Sequence, residues 1–126
     1  MSESDLKENI ERSLHSIQNH DYDSIMPYPD PILIHLMSNF SLAQWTFLEI
    51  LSGELDREKG QDAVPIQLTL SALNDRVQMS QQNFRAHVSL LHGANAVELV
   101  TGLSDQRSKQ VRITGNGLRM LKLRRG

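Results

Sequence analysis

Apolar residues recur at helical spacing through most of the chain, and two short alternating stretches break that rhythm near its end. Leu6, Ile10, Leu14 and Ile17 form a narrow stripe that Ser4 can cap, so a polar helix is expected over residues 4–19. Prolines at 27, 29 and 31 then hold an extended connector. Pro31 suits the first turn of a short helix carrying Ile32, Leu33, Leu36 and Met37. The broadest apolar face, Leu42, Trp45, Leu48 and Leu51 with Phe47 and Ile50 alongside, starts at the capping-box pattern Ser41-Leu42-Ala43-Gln44 and ends at Gly53. Phe40 and Trp45 have the spacing of a hydrophobic staple.

Residues 54–63 are charged and without periodicity, which marks a loop. Ile66-Gln67-Leu68 alternates over a strand-like length. Thr69 can cap a helix reaching Val77, with Leu70, Leu73 and Val77 inward, and Gln78-Met79 leaves room only for a tight connection. Ser80 can cap the next helix, which runs to about Gly93 with Phe84, Val88 and Leu91 inward; Asn95 beyond it tolerates the left-handed conformation that closes helices. Val97–Val100 and Gln110–Ile113 then alternate around a polar loop, 101–109, as a β-hairpin. Thr114 can cap a last helix carrying Leu118 and Leu121, its start weakened by Gly115 and Gly117.

The chain has 126 residues, enough for one core, and it has no cysteine, which excludes disulfides, thiolate metal sites and cysteine nucleophiles. No apolar run is long enough to span a bilayer and the start is acidic, so a cytoplasmic protein with no membrane partner is expected. The net charge of −2 conceals a division. Residues 1–66 hold four Lys and Arg against twelve Asp and Glu, whereas residues 67–126 hold nine against three. A basic half is a recognised hint of nucleic-acid contact, although both signs could equally just solvate surfaces.

Helix, tight turn, helix and basic hairpin in that order make a winged helix-turn-helix: a mainly α (α+β) domain over 40–126, with residues 1–39 as a helical extension. In that geometry the second helix of the pair enters the major groove and the hairpin reaches the backbone or minor groove. With Phe84, Val88 and Leu91 inward, the outer face holds Gln81, Gln82, Arg85, Ala86 and Ser89; Gln suits adenine edges and Arg suits guanine. Ser80 and Asn83, at the helix start, suit phosphate. Arg107 and Lys109 sit where a wing meets DNA, with Asp105 placed to steady Arg107. Arg112 and the tail residues Arg119, Lys122, Arg124 and Arg125 add a positive rim. A polar outer face and a solvated charged turn are also what an ordinary amphipathic helix and hairpin display.

Residues from about Phe40 to Leu121 resemble winged-helix regulators of the MarR type. The resemblance is carried by Phe40-Ser41-Leu42-Ala43-Gln44-Trp45, by Leu73 through Leu91, and above all by the wing. There Asp105-Gln106-Arg107-Ser108-Lys109 leads to Val111-Arg112-Ile113-Thr114 and Gly117. It implies double-stranded DNA binding by helix 80–92, minor-groove contact by Arg107, and transcriptional regulation without a catalytic site. Regulators of that type carry C-terminal dimerisation helices, and this sequence ends at Gly126, so homodimer contacts are expected from 4–19 and 31–38 instead. A winged-helix protein-interaction adaptor, and a replication or plasmid-maintenance protein, stay open beside this reading. His15 and His20 are five apart, as are His87 and His92, a poor spacing for a shared metal, so neither metal nor cofactor is expected. Whether a small-molecule effector exists stays open at this point.

Overall fold

The computed structural model describes residues 26–101 and 109–126, and the expected helix over 4–19 lies outside them. Five helices and three strands follow in order: α1 (Asp30–Met37), α2 (Leu42–Leu51), β1 (Leu68–Thr69), α3 (Leu70–Val77), α4 (Gln81–Gly93), β2 (Val97–Thr101), β3 (Lys109–Ile113) and α5 (Gly115–Arg125). The expected strand at 66–68 is shifted and shorter, because only Leu68 and Thr69 reach the ladder, opposite Val111 and Gln110. The sheet is antiparallel in the order β1-β3-β2. In the hairpin Val97 faces Ile113 and Thr101 faces Lys109, so Lys109, expected in the loop, is a strand residue.

Three of the five helices, α3, α4 and α5, start from a side-chain oxygen placed one residue before them. Thr69 accepts from the Ala72 N–H, Ser80 from Asn83 and Thr114 from Gly117. Apolar periodicity then decides which face turns inward. Phe84, Val88 and Leu91 of α4 are all buried, as are Leu73 of α3 and the α2 residues Trp45, Phe47, Leu48, Ile50 and Leu51. Leu42 departs from its expected inward place: at the first position of α2 it is 75% exposed. Phe40 meets Trp45 edge to face with centroids 5.2 Å apart, forming the staple. Leu33 of α1 is buried in the same core as α2, α4 and the hairpin, and Met120 and Leu121 bring α5 into it.

The joint between α4, the hairpin and α5 leaves almost no room. Asn95 takes φ 57°, the left-handed conformation expected of it. Its carbonyl accepts from the Thr114 hydroxyl at 2.6 Å, while the Thr114 N–H donates to the Ala96 carbonyl at 3.0 Å. A Cβ on Gly117 would stand 2.3 Å from the Ala96 carbonyl oxygen and 2.7 Å from Ile113 Cγ1. The glycine that weakens the start of α5 is therefore what lets α5 approach. Buried Asn116 holds the incoming chain against the same corner, accepting from the Tyr28 N–H at 2.8 Å and donating to the Met26 carbonyl at 3.2 Å.

Once seated, α5 aims its arginines at the acidic first half. Arg119 pairs with Asp30 at 2.8 Å, Arg124 with Glu49 at 3.2 Å and Arg125 with Glu54 at 3.0 Å. Arg124 also lies 4.7 Å above the Trp45 ring. Arg76 of α3 reaches Asp56 at 2.9 Å. The hydrogen bond from Arg119, reinforced by its charge, holds the Asp30 carboxyl below the usual carboxylate range, and Arg76 does the same for Asp56.

Two outcomes are expected. Gly117→Ala should destabilise the fold by about 1–3 kcal/mol through overpacking, read as a lower urea midpoint at unchanged slope. Because both aspartates have lowered folded-state values, their contribution is present above the unfolded value of about 3.9 and disappears as pH falls through the folded one. The double variant Asp30→Asn, Asp56→Asn should accordingly show a shallower fall of the denaturation midpoint below about pH 5 than the parent chain.

Candidate nucleic-acid interface

The tight turn between α3 and α4 is built around Asn74. Its carbonyl accepts from the Gln78 N–H at 2.6 Å and its side-chain oxygen from the Met79 N–H at 3.1 Å. Gln78 takes φ 53° between these bonds, reversing the chain within the expected two-residue connection. The turn delivers Ser80 as the first cap of α4, so the Ser80 hydroxyl already accepts a hydrogen bond from the Asn83 N–H, at 3.3 Å.

Gln81, Gln82, Asn83, Arg85 and Ser89 are all exposed, which is the complement of the buried set Phe84, Val88 and Leu91. They bring amide, hydroxyl and guanidinium groups to the exposed side of a 13-residue helix. Lys109 is exposed at the far end of β3, and Arg107 and Asp105 lie outside the described residues. Arg112 does not join this surface. It is 9% exposed and binds Glu98 through Nε at 2.9 Å and Nη2 at 2.8 Å. The reason is register: Glu98 and Arg112 are direct cross-strand neighbours, and opposite charges there attract. A symmetric pairing of the two alternating segments in the sequence already contains that signal.

The rim expected from the tail is corrected in the same way. Arg119, Arg124 and Arg125 are committed to Asp30, Glu49 and Glu54, and of the tail cations Lys122 alone makes no ion pair among the described residues. Arg57 pairs with Glu54 at 3.4 Å. Every described arginine except Arg85 thus has a carboxylate partner. Arg85, on the exposed face of α4, makes no ion pair among the described residues and presents five N–H donors outward.

The inner side of α4 carries an arrangement that its apolar spacing alone does not announce. Phe47 of α2 meets Phe84 with centroids 5.6 Å apart and the His87 ring at 5.9 Å. Buried Gln44, one helical turn before Phe47, hydrogen-bonds through Nε2 to His87 Nδ1. The Oε1 atom of the same amide accepts from the Ser41 N–H at 2.5 Å, and the Ser41 hydroxyl donates to it as well. The capping-box spacing at 41–44 hinted at the Ser41–Gln44 link; the reach to His87, 43 residues on, has no local signature.

Among the described residues no group of three or more His, Asp or Glu side chains could hold a metal, and no helix is long and apolar enough to cross a membrane. No family model matches the chain, and no curated protein does either. Solved structures do. The PcaV transcriptional regulator from Streptomyces coelicolor, in complex with its natural ligand, has a TM-score of 0.55 and 22% identity over 72% of this chain. The chain spans 58% of that protein, less than two thirds of its length. A mutant MarR from E. coli complexed with operator DNA has a TM-score of 0.54 and 14% identity, over 98% of this chain and 76% of that one. The YusO protein from Bacillus subtilis has a TM-score of 0.54 and 16% identity, over 97% of this chain and 74% of that one. With the helix order and the β1-β3-β2 sheet, these likenesses establish that the chain has the winged helix-turn-helix fold of MarR-type regulators.

Proposed function

We propose that the chain is a sequence-specific double-stranded DNA-binding regulator of transcription, acting in the cytoplasm, with α4 in the major groove. The observation that carries this reading is that Arg85, among the described arginines, makes no ion pair and stands exposed on α4. Folding commits the other described arginines to carboxylates and leaves one guanidinium on the helix that this fold presents to DNA, among Gln81, Gln82 and Ser89. Arg85 reads a guanine edge through O6 and N7, and Gln81 and Gln82 read adenine. Ser80 and Asn83 sit at the helix N-terminus, where free N–H groups and the helix dipole favour phosphate. Lys109 and Arg107 take the backbone or the minor groove. One of the similar structures, the E. coli MarR mutant, is complexed with operator DNA, which supports the same assignment.

The chain works as a homodimer in this proposal, since a helix-turn-helix dimer matches palindromic half-sites about one helical turn apart. Exposed Ile32 and Ile34 on α1 supply apolar surface for the contact, together with the stripe at 4–19. No catalytic role is proposed.

Three measurements check these statements. Affinity for a duplex enriched from a randomised pool should fall steeply with salt; salt-independent retention would favour a protein-interaction adaptor instead. Arg85→Ala should cost about 1–3 kcal/mol on that duplex and relax base preference, whereas Lys109→Ala should weaken all duplexes alike and lower the salt slope by about 1. Light scattering at micromolar concentration should return twice the chain mass, and a monomer mass would remove the dimer.

A further inference from the structure

The reading face is only as specific as the rotation of α4 about its own axis. A side chain about 6 Å from that axis moves roughly 1 Å for each 10° of rotation, enough to lose a bidentate contact with a base. The apolar contacts that bury Phe84, Val88 and Leu91 are attractive at many angles, because dispersion and hydrophobic burial have little directionality. A hydrogen bond is directional. Among the described residues, one side-chain hydrogen bond joins the inner face of α4 to α2, and it is Gln44 to His87.

That bond is itself fixed from behind. The Ser41 backbone N–H can only donate, so it assigns the oxygen of the Gln44 amide to itself and turns the NH2 group toward His87. The His87 Nδ1 atom is then an acceptor, with the ring proton on Nε2. The Phe47 ring meets both Phe84 and His87, which bounds the imidazole on its other side. Two residues three apart on α2 thereby engage two residues three apart on α4, one contact apolar and one polar. Arg85 lies between Phe84 and His87 in sequence and points to the opposite side of the helix.

We infer that His87 is the positioning residue of the reading helix: through Gln44 and Ser41 it locks the rotation of α4 that brings Arg85 and Gln82 into register with the base edges. The inference deepens the DNA-binding reading and depends on it. His87 touches no base itself, and its contribution lies in discrimination between sequences, with the attraction to phosphate left intact.

The test uses the full chain and two probes: the duplex that the parent chain enriches from a randomised pool, and a scrambled duplex of equal length and composition. His87→Leu fills the space beside Phe47 without an acceptor, and His87→Asn returns an acceptor near the position of Nδ1. Anisotropy titrations at one salt concentration should show the enriched-to-scrambled affinity ratio falling about tenfold for His87→Leu. Scrambled binding should stay within about twofold, and His87→Asn should restore most of the ratio. An unchanged ratio for His87→Leu, or equal losses on both duplexes, overturns the inference. If His87→Leu does not fold, judged by helical circular dichroism, His87→Asn decides: a retained ratio supports the lock and a collapsed one overturns it. If the parent chain enriches no duplex, the DNA-binding reading fails first and takes the inference with it.

Discussion

The approach of α5 to the end of α4 is the contact on which the rest of the arrangement depends. The first turn of α5 fits only because Gly117 has no side chain to meet the Ala96 carbonyl. Around that point Asn95 turns the chain, Thr114 caps α5, and Asn116 ties down Met26 and Tyr28. Five pieces of chain meet there: the end of α4, the start of β2, the end of β3, the start of α5 and the segment leading to α1. Fixing α5 fixes where its arginines go.

Those arginines do little to hold the molecule together. Exposed ion pairs contribute about 0–1 kcal/mol each, whereas a fully buried Leu or Phe side chain contributes about 1.5–3 kcal/mol. Phe47, Leu33, Leu48, Leu51, Leu73, Leu91, Ile113 and Met120 are almost wholly excluded from water, so the core dominates stability. The effect of the ion pairs is on distribution: they match the basic tail to the acidic first half. A sequence that divides into a negative half and a positive half folds into a surface where opposite charges are adjacent, and among the described residues the arginine left without an ion pair is on α4.

Much of this fold is legible in the sequence because its signals are local. The caps at Thr69, Ser80 and Thr114 and the inward triplet Phe84, Val88 and Leu91 each need information from only one or two turns of helix. So does the left-handed Asn95. What the sequence hides is long-range pairing. Arg119 finds Asp30 across 89 positions, Arg124 finds Glu49 across 75 and Gln44 finds His87 across 43, and no periodicity encodes such partners. Of the basic residues assigned to the interface from sequence, Arg112 is taken by Glu98, a partner that strand register could have named. Propensity alone marks Gly117 as a weakness in a helix, and only the approach of the Ala96 carbonyl shows why it is there.

Folding that pairs the tail arginines with carboxylates and leaves Arg85 on the interface has a direct chemical readout. An arginine-selective dicarbonyl reagent, applied to the chain with and without its enriched duplex, reports each guanidinium separately by peptide mass. DNA should shield Arg85 strongly and leave the modification of Arg119, Arg124 and Arg125 unchanged. Shielding of the three tail arginines with Arg85 still reactive would contradict that arrangement.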